Sequence, residues 1–347
     1  MQPEAVELVA FAAVALVLAL LVAQPAASRR ALLVRGVVGL AGTAAVVAVP
    51  TFDLALLVLL AIALLHSAIG GKRSFAARLR LPVLGVGLLA LAALFARASG
   101  PDVLGRFAAV GLAAGMAALV GVLPYLHSFD ADEPVSSSPI AWLAYIGPAG
   151  AAVIVADSHG LLTGDAGAAF GASLVGIGLV NMVWGSVAAW LTETTAAAWR
   201  YSFTADWGLA LCGFGITLVD GKRAALIVLF SVVLGRMPLY LASREAVREK
   251  VVTERPINLL VAAALAGSAP FAGFSARVLL LRGATQLYWP LALVLAAGML
   301  LWLPGSLRLG RSLGVPRGRH ALGVAAVLAL NVAVGLYPLP LLAAARL

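Results

Sequence analysis

Apolar runs about as long as a bilayer is thick follow one another along nearly the whole chain, separated by short links carrying prolines, polar residues or arginines. A run of about 18–20 apolar residues suffices to cross the hydrocarbon core as a helix. In lipid, only helices and closed barrels satisfy every backbone N–H and C=O. These runs are long, rich in Ala, Leu and Val, and do not alternate in polarity, so they read as helices. Composition supports this: 63% of the 347 residues are hydrophobic and 11% are charged, where a soluble domain carries roughly a quarter charged residues. The expected fold class is an all-α integral membrane protein of about 12 transmembrane helices, near 5–24, 31–50, 52–70, 82–98, 105–126, 137–157, 165–191, 203–219, 223–243, 257–283, 286–308 and 320–344.

Several chemistries are excluded at this level. The single cysteine, Cys212, lies inside an apolar run and has no partner for a disulfide, and there is no cysteine set for an iron–sulfur site. The four histidines, His66, His127, His159 and His320, show no ligand spacing, so no metal site is expected. No phosphate-binding glycine motif, HExxH, CxxC or Ser–His–Asp arrangement is present, and no catalytic residue is assigned. The formal charge of +9 resides in loops. That is the pattern of membrane topology, not of a nucleic-acid surface.

Alternating the links across the membrane sorts the basic residues. One side receives Arg29, Arg30, Lys72, Arg73, Arg78, Arg80, Arg200, Arg244, Arg248, Lys250, Arg255, Arg308, Arg311, Arg317 and Arg319; the other receives Arg97, Arg106, Lys222, Arg223, Arg282 and Arg346. The positive-inside rule then puts the arginine-rich links in the cytoplasm and both termini outside, in the inner or plasma membrane. The start, MQPEAVELVA, is acidic where a signal peptide is basic. A single membrane domain over 1–347 is expected, divided into an N-terminal helix (1–30), a first five-helix unit (31–157), a second (165–308) and a C-terminal helix (309–347). Units with an odd helix count are inverted relative to each other. The fourth helix of each is interrupted, by Gly121 and Pro124 in the first and by Gly267, Pro270 and Gly273 in the second. Matching interruptions point to ion or substrate pathways, although Gly and Pro are also simply frequent in membrane helices.

Five segments carry a family resemblance. LHSAIGGKRSFAAR (65–78) is similar to a short basic loop written KRS-x-EA, and LPYLHSFDADEPVSSSPIAWLA (123–144) to VPFHxWxPDxxxxAPxPVxxxLA. WGSVAAWLTETTAAAWRYSFTADWG (184–208) resembles GxLxALxQxxxKRLLAYSSISHxG, and LLVAAALAGSAPFAGFSARVLLLRGA (259–284) resembles LxLLSLAGxPPLAGFxGKxxLxxAA. The tail VAVGLYPLPLLAAA (332–345) is similar to LGxxPxPLL. In this order, over roughly 30–347, the patterns resemble the antiporter-like membrane subunits of respiratory complex I, nearest to its subunit N, a family shared with Mrp antiporters and membrane-bound hydrogenases. The resemblance implies about fourteen helices, of which this chain lacks some two at its N-terminus.

The resemblance also implies where protons should be handled, and the chain departs from it. The family's lysine before the conserved proline falls on Leu119, and that of the next helix on Pro148 or Ala149. Its glutamate falls near Asp53, while an ungapped count from Lys72 lands on Ala55. The lysine of its GFxGK segment falls on Arg277. Arginine keeps the charge but does not release its proton near neutral pH. The first half thus reads as electrically empty. Asp206 and Arg236 are intramembrane and read either as a buried ion pair on a half-channel or as an interhelical tie. The proton-pathway candidates are Arg277, Asp53, Asp206, Arg236 and His127, the last one place from the family's PFH histidine. Glu193 and Arg200 read as loop anchors and Lys222 as an interfacial anchor. Asn181, Asn258 and Asn331 read as interhelical bonders, and Trp199, Tyr201, Tyr288 and Trp289 as an interfacial belt.

Three functions remain open. The first is a subunit N-like membrane-arm subunit of a complex I-like or hydrogenase-like oxidoreductase, degenerate in proton pumping. It would hold no cofactor itself; quinone, flavin and iron–sulfur clusters would belong to partners, namely other antiporter-like subunits and a hydrophilic redox arm, with lipid around them. The second is a stand-alone cation or proton transporter, and the third a non-transporting assembly or lipid-binding scaffold.

Overall fold

The computed structural model describes residues 3–22, 26–69, 72–98, 103–126, 146–162 and 164–344. Within them every regular element is a helix. Helices α1 (Pro3–Val22), α2 (Ala26–Ala48), α3 (Phe52–Ile69), α4 (Lys72–Ala98) and α5 (Val103–Val120) lead to α6 (Gly147–Leu161), α7 (Asp165–Leu191) and α8 (Thr195–Gly215). Helices α9 (Val219–Phe230) and α10 (Met237–Arg248) are joined by a π-helical turn, Ser231–Arg236. Then come α11 (Pro256–Leu265), α12 (Ala272–Leu287), α13 (Trp289–Leu300), α14 (Trp302–Arg311), α15 (Arg319–Leu336) and α16 (Leu339–Ala344). Seven of the described helical stretches are long and apolar enough to cross a bilayer, and three shorter apolar helices accompany them. The chain is an all-α, multi-pass integral membrane protein.

Exposure follows the solvent that each face meets. The most apolar 18 residues of the stretch Val219–Arg248 are 94% buried, in the middle of the bundle, whereas Arg319–Leu336 is 28% buried. Its outer leucines, such as Leu322 and Leu336, are exposed as lipid-facing residues should be. Association in lipid lacks a hydrophobic drive and depends on close backbone approach. Helices α7 and α8 achieve this with glycines at seven-residue spacing. A Cβ at Gly171 would lie 2.8 Å from the Gly215 carbonyl, one at Gly178 2.6 Å from that of Gly208, and one at Gly185 2.7 Å from that of Tyr201.

Boundaries differ from the sequence expectation where a basic segment is helical. Helix α4 begins at Lys72, not near residue 82, so Arg78 and Arg80 lie on helix instead of in a link. Pro82 is accommodated inside α4. Arg200 likewise lies within α8. Long arginine stems cover apolar surface while their heads reach polar surroundings, so basic residues extend a helix past its apolar run.

Both interruptions form, and they share one local geometry. After α5, Gly121 adopts φ +73°. The N–H groups of Gly121 and Val122 both donate to Ala117, and that of Tyr125 to Val122. After α11, Gly267 adopts φ +63°. Its N–H donates to Ala264, that of Ser268 to Ala263, and that of Phe271 to Ser268. This is helix termination by a left-handed glycine, which closes the last turn. Each second-break residue follows its counterpart by the same number of positions, and both breaks contain a cis X–Pro bond, at Pro124 and Pro270.

Candidate functional site

The second break is surrounded by charge. Helix α11 ends at Leu265; the turn that follows takes the carbonyls of Ala263 and Ala264 and leaves that of Leu265 without a backbone donor among the bonds of that turn. Arg236 supplies one: its Nη2 donates to the Leu265 carbonyl at 3.0 Å. The same guanidinium forms a two-point pair with Asp206 on α8, through Nε to Oδ2 and through Nη2 to Oδ1 at 3.2 Å. Arg236 is 4% exposed and Asp206 7%. The pair is bidentate and Nη2 also serves the Leu265 carbonyl, which offsets the cost of burial, while Nη1 is buried without a hydrogen-bond partner.

The π turn that presents Arg236 has a local cause. Pro238 has no N–H to give to the carbonyl of Leu234, and its ring crowds that carbonyl. The helix widens, so that the Met237 N–H donates to Val232, five residues back.

Arg277 on α12 completes the cluster. Its guanidinium packs on Gly267, where a Cβ would lie 2.9 Å from its Cζ. Trp302, at the start of α14, receives both arginines: the guanidinium carbons of Arg236 and Arg277 lie 5.4 and 5.3 Å from its ring centre. Cation–π attraction strengthens when the cation is desolvated, as here. Asp206 pairs with Arg236, and Arg277 joins the cluster through the indole that both cations face.

The first break is held differently. Asn181 on α7, fully buried, accepts from the Leu123 N–H at 2.7 Å and donates to the Leu123 carbonyl at 3.3 Å and the Ile177 carbonyl at 2.8 Å. Leu119 is fully buried against Gly85 and Gly150, and Pro148 opens α6. The first half is nonetheless not empty of polar groups: His66 on α3 and Arg78 on α4 are buried toward the arginine-rich end. Composition did not single these out, because both sit at the edge of an apolar run and look like link residues.

Of the residues expected to handle protons, Asp206, Arg236 and Arg277 come together. Asp53 does not join them. It lies in the first turn of α3, half-exposed, paired with Arg97 at 2.9 Å. His127 lies outside the described residues. Gly273, on the first turn of α12, contacts Gly267, so the glycines bring the two halves of the broken helix together. Trp199 is no belt residue: it is fully buried, with Nε1 donating to Ser312 at 3.1 Å. Tyr288 and Trp289 are exposed at the α12–α13 junction. Asn258 reaches across to the carbonyls of Gly310 and Gly314, whereas Asn331 donates within its own helix to Val327. Trp302 was not foreseen; an indole between apolar helices carries no signal until its neighbours are placed. The α7–α8 turn is anchored by Arg308, which donates to the carbonyls of Trp190, Thr192 and Glu193. Among the described residues, no three His, Cys, Asp or Glu side chains converge on a metal-sized site.

Fold and cluster together define a polytopic helical membrane protein with a buried ion cluster at a broken helix. No protein-family model matches the chain, and no curated protein matches it by sequence. Solved structures do match. The chain is similar, over 94% of its length and 64% of the other's, to a chain of the membrane-bound sulfane sulfur reductase, an archaeal respiratory membrane complex, at 18% identity and TM-score 0.71. A chain of the Mrp complex from Dietzia sp. DQ12-45-1b matches 99% of it at 15% identity and TM-score 0.79, with 44% of that chain covered. A chain of respiratory complex I from Thermus thermophilus with bound NADH matches 92% of it at 16% identity and TM-score 0.66, with 82% covered. The chain thus spans less than two thirds of the first two. At these identities the likeness is one of fold, and it is the fold that the sequence resemblance implied.

Proposed function

We propose that this chain is a subunit N-like, antiporter-like membrane-arm subunit of a complex I-like or hydrogenase-like oxidoreductase, with its charge-handling centre in the second half alone. The observation that carries this is the Asp206–Arg236–Arg277 cluster at the second break, on a fold shared with chains of two respiratory complexes. Intramembrane ionisable groups are costly and mark ion pathways. The first break is held by the neutral Asn181, and Leu119 stands where the family's lysine falls. The two five-helix units are inverted repeats, a reading supported by the similar left-handed-glycine breaks at Gly121 and Gly267. Partners are other antiporter-like membrane subunits and a hydrophilic arm holding the flavin, iron–sulfur and quinone chemistry. The chain lies in the inner or plasma membrane with both termini outside.

Purification from mild-detergent membranes followed by mass spectrometry tests this. Recovery with iron–sulfur, flavin or nickel–iron subunits is expected; recovery alone or as a homo-oligomer would overturn it. Within such a complex, Arg277→Ala should abolish the coupled proton movement that depends on this subunit while assembly persists. The fold likeness to the Mrp complex favours a second reading, a cation or proton transporter centred on the same cluster. Proteoliposomes holding this chain alone, tested for cation-driven proton movement, separate the two.

A further inference from the structure

A cavity of about 10 Å³, measured as space for the centre of a water molecule, lies between α7, α8 and α14. Its polar lining is Ser186, Ser202 and Ser306, and Trp302 forms one wall. All three serines are almost fully buried. Their hydrogen bonding is unequal. Ser186 donates to the Met182 carbonyl at 2.6 Å and Ser202 to the Trp199 carbonyl at 2.7 Å, so each hydroxyl has spent its proton and keeps lone pairs. Ser306 Oγ has no protein partner at all. A buried hydroxyl left unpaired is costly.

We propose that this cavity is a water-binding site. One water satisfies all three groups: it donates to Ser186 and Ser202 and accepts from Ser306. Three hydrogen bonds to buried polar groups is the usual coordination of an internal water, and the cavity has room for it.

The location gives the water a role, which rests on the proposed charge-handling function of the cluster. Ser202 and Asp206 lie one turn apart on α8, and Trp302 and Ser306 one turn apart on α14. The cavity therefore sits between the ion cluster and the end of the bundle that carries Arg308 and Arg311. Its occupant stands one helical turn from Asp206 on that side, with Trp302 shared as a wall between the cavity and the two arginines. The water is a polar stepping point one helical turn from Asp206, on the side of the arginine-rich face.

X-ray radiolytic footprinting of the full chain in lipid nanodiscs tests the site. Hydroxyl radicals form from water in place, so an indole beside bound water is oxidised and a dry one is not. Trp302 (3% exposed) and Trp199 (0%) are both closed to bulk solvent, so Trp199 is the dry reference. Trp302 should be oxidised well above Trp199 and take up oxygen from ¹⁸O-labelled water. Ser306→Val, which fills the cavity, should reduce Trp302 oxidation to the Trp199 level. Ser306→Ala, which keeps the space but removes the donor, should reduce it in part; it serves if the valine variant does not fold. Equal oxidation of the two tryptophans in the unaltered chain, or unchanged Trp302 oxidation in both variants, would overturn the water site. No transport or partner is needed for this readout, so a dry cavity leaves the complex-arm reading standing, and failed co-purification leaves the water site standing.

Discussion

Asn181 holds Leu123 by both of its backbone polar groups, accepting from the N–H at 2.7 Å and donating to the carbonyl at 3.3 Å. A side-chain amide thus replaces the peptide partner that the first broken helix loses at Gly121. At the second break Arg236 serves the freed Leu265 carbonyl instead. The two interruptions share one backbone geometry but differ in charge.

Asn181→Leu should therefore destabilise the bundle by about 1–3 kcal/mol, the cost of leaving buried backbone groups unpaired. Asn331→Leu should cost less, because the polar bond of Asn331 is to Val327 on its own helix. Thermal unfolding of the two variants in the same detergent compares them directly; equal midpoints would argue against the role given to Asn181.

Breaking the Asp206–Arg236 pair leaves a buried charge. Asp206→Leu should cost about 3–5 kcal/mol, and adding Arg236→Met to it should recover much of that loss. A double-mutant cycle on unfolding free energies measures the coupling. Additive losses would mean that the pair contributes nothing as a pair.

Helices α7 and α8 should respond sharply to glycine replacement on one face only. At Gly178 an added Cβ would meet the Gly208 carbonyl and the Cys212 sulfur, each at 2.6 Å, whereas at Gly176 it meets nothing within 4 Å. Gly178→Ala should lose about 1–3 kcal/mol through overpacking. Gly176→Ala should be neutral or gain up to about 1 kcal/mol from helix propensity.

Arg308 closes the α7–α8 turn by donating to three carbonyls from α14. Arg308→Ala should raise amide hydrogen exchange over residues 192–198, including the Thr194-capped start of α8. Exchange over α15, remote from that turn, should stay unchanged, which separates loss of a local anchor from global loosening.

The sequence by itself determined the class of fold. Uninterrupted apolar length forces helices in lipid, and Gly121, Pro124, Gly267 and Pro270 place the breaks, because backbone sterics act locally. It also marked Asp206, Arg236 and Arg277 as ionisable groups set inside apolar runs. Tertiary structure decided which of them meet. Asp53 is as acidic and as close to an apolar run as Asp206, yet it ends at the rim of the bundle with Arg97, while Asp206 faces Arg236. Trp302, the serine cavity and the inward burial of Trp199 were likewise decided by packing. The physical reason is rotation about the helix axis. Apolar composition is nearly the same on lipid-facing and protein-facing sides of a membrane helix, so periodicity hardly distinguishes them. Only the contacts among helices fix which face turns inward.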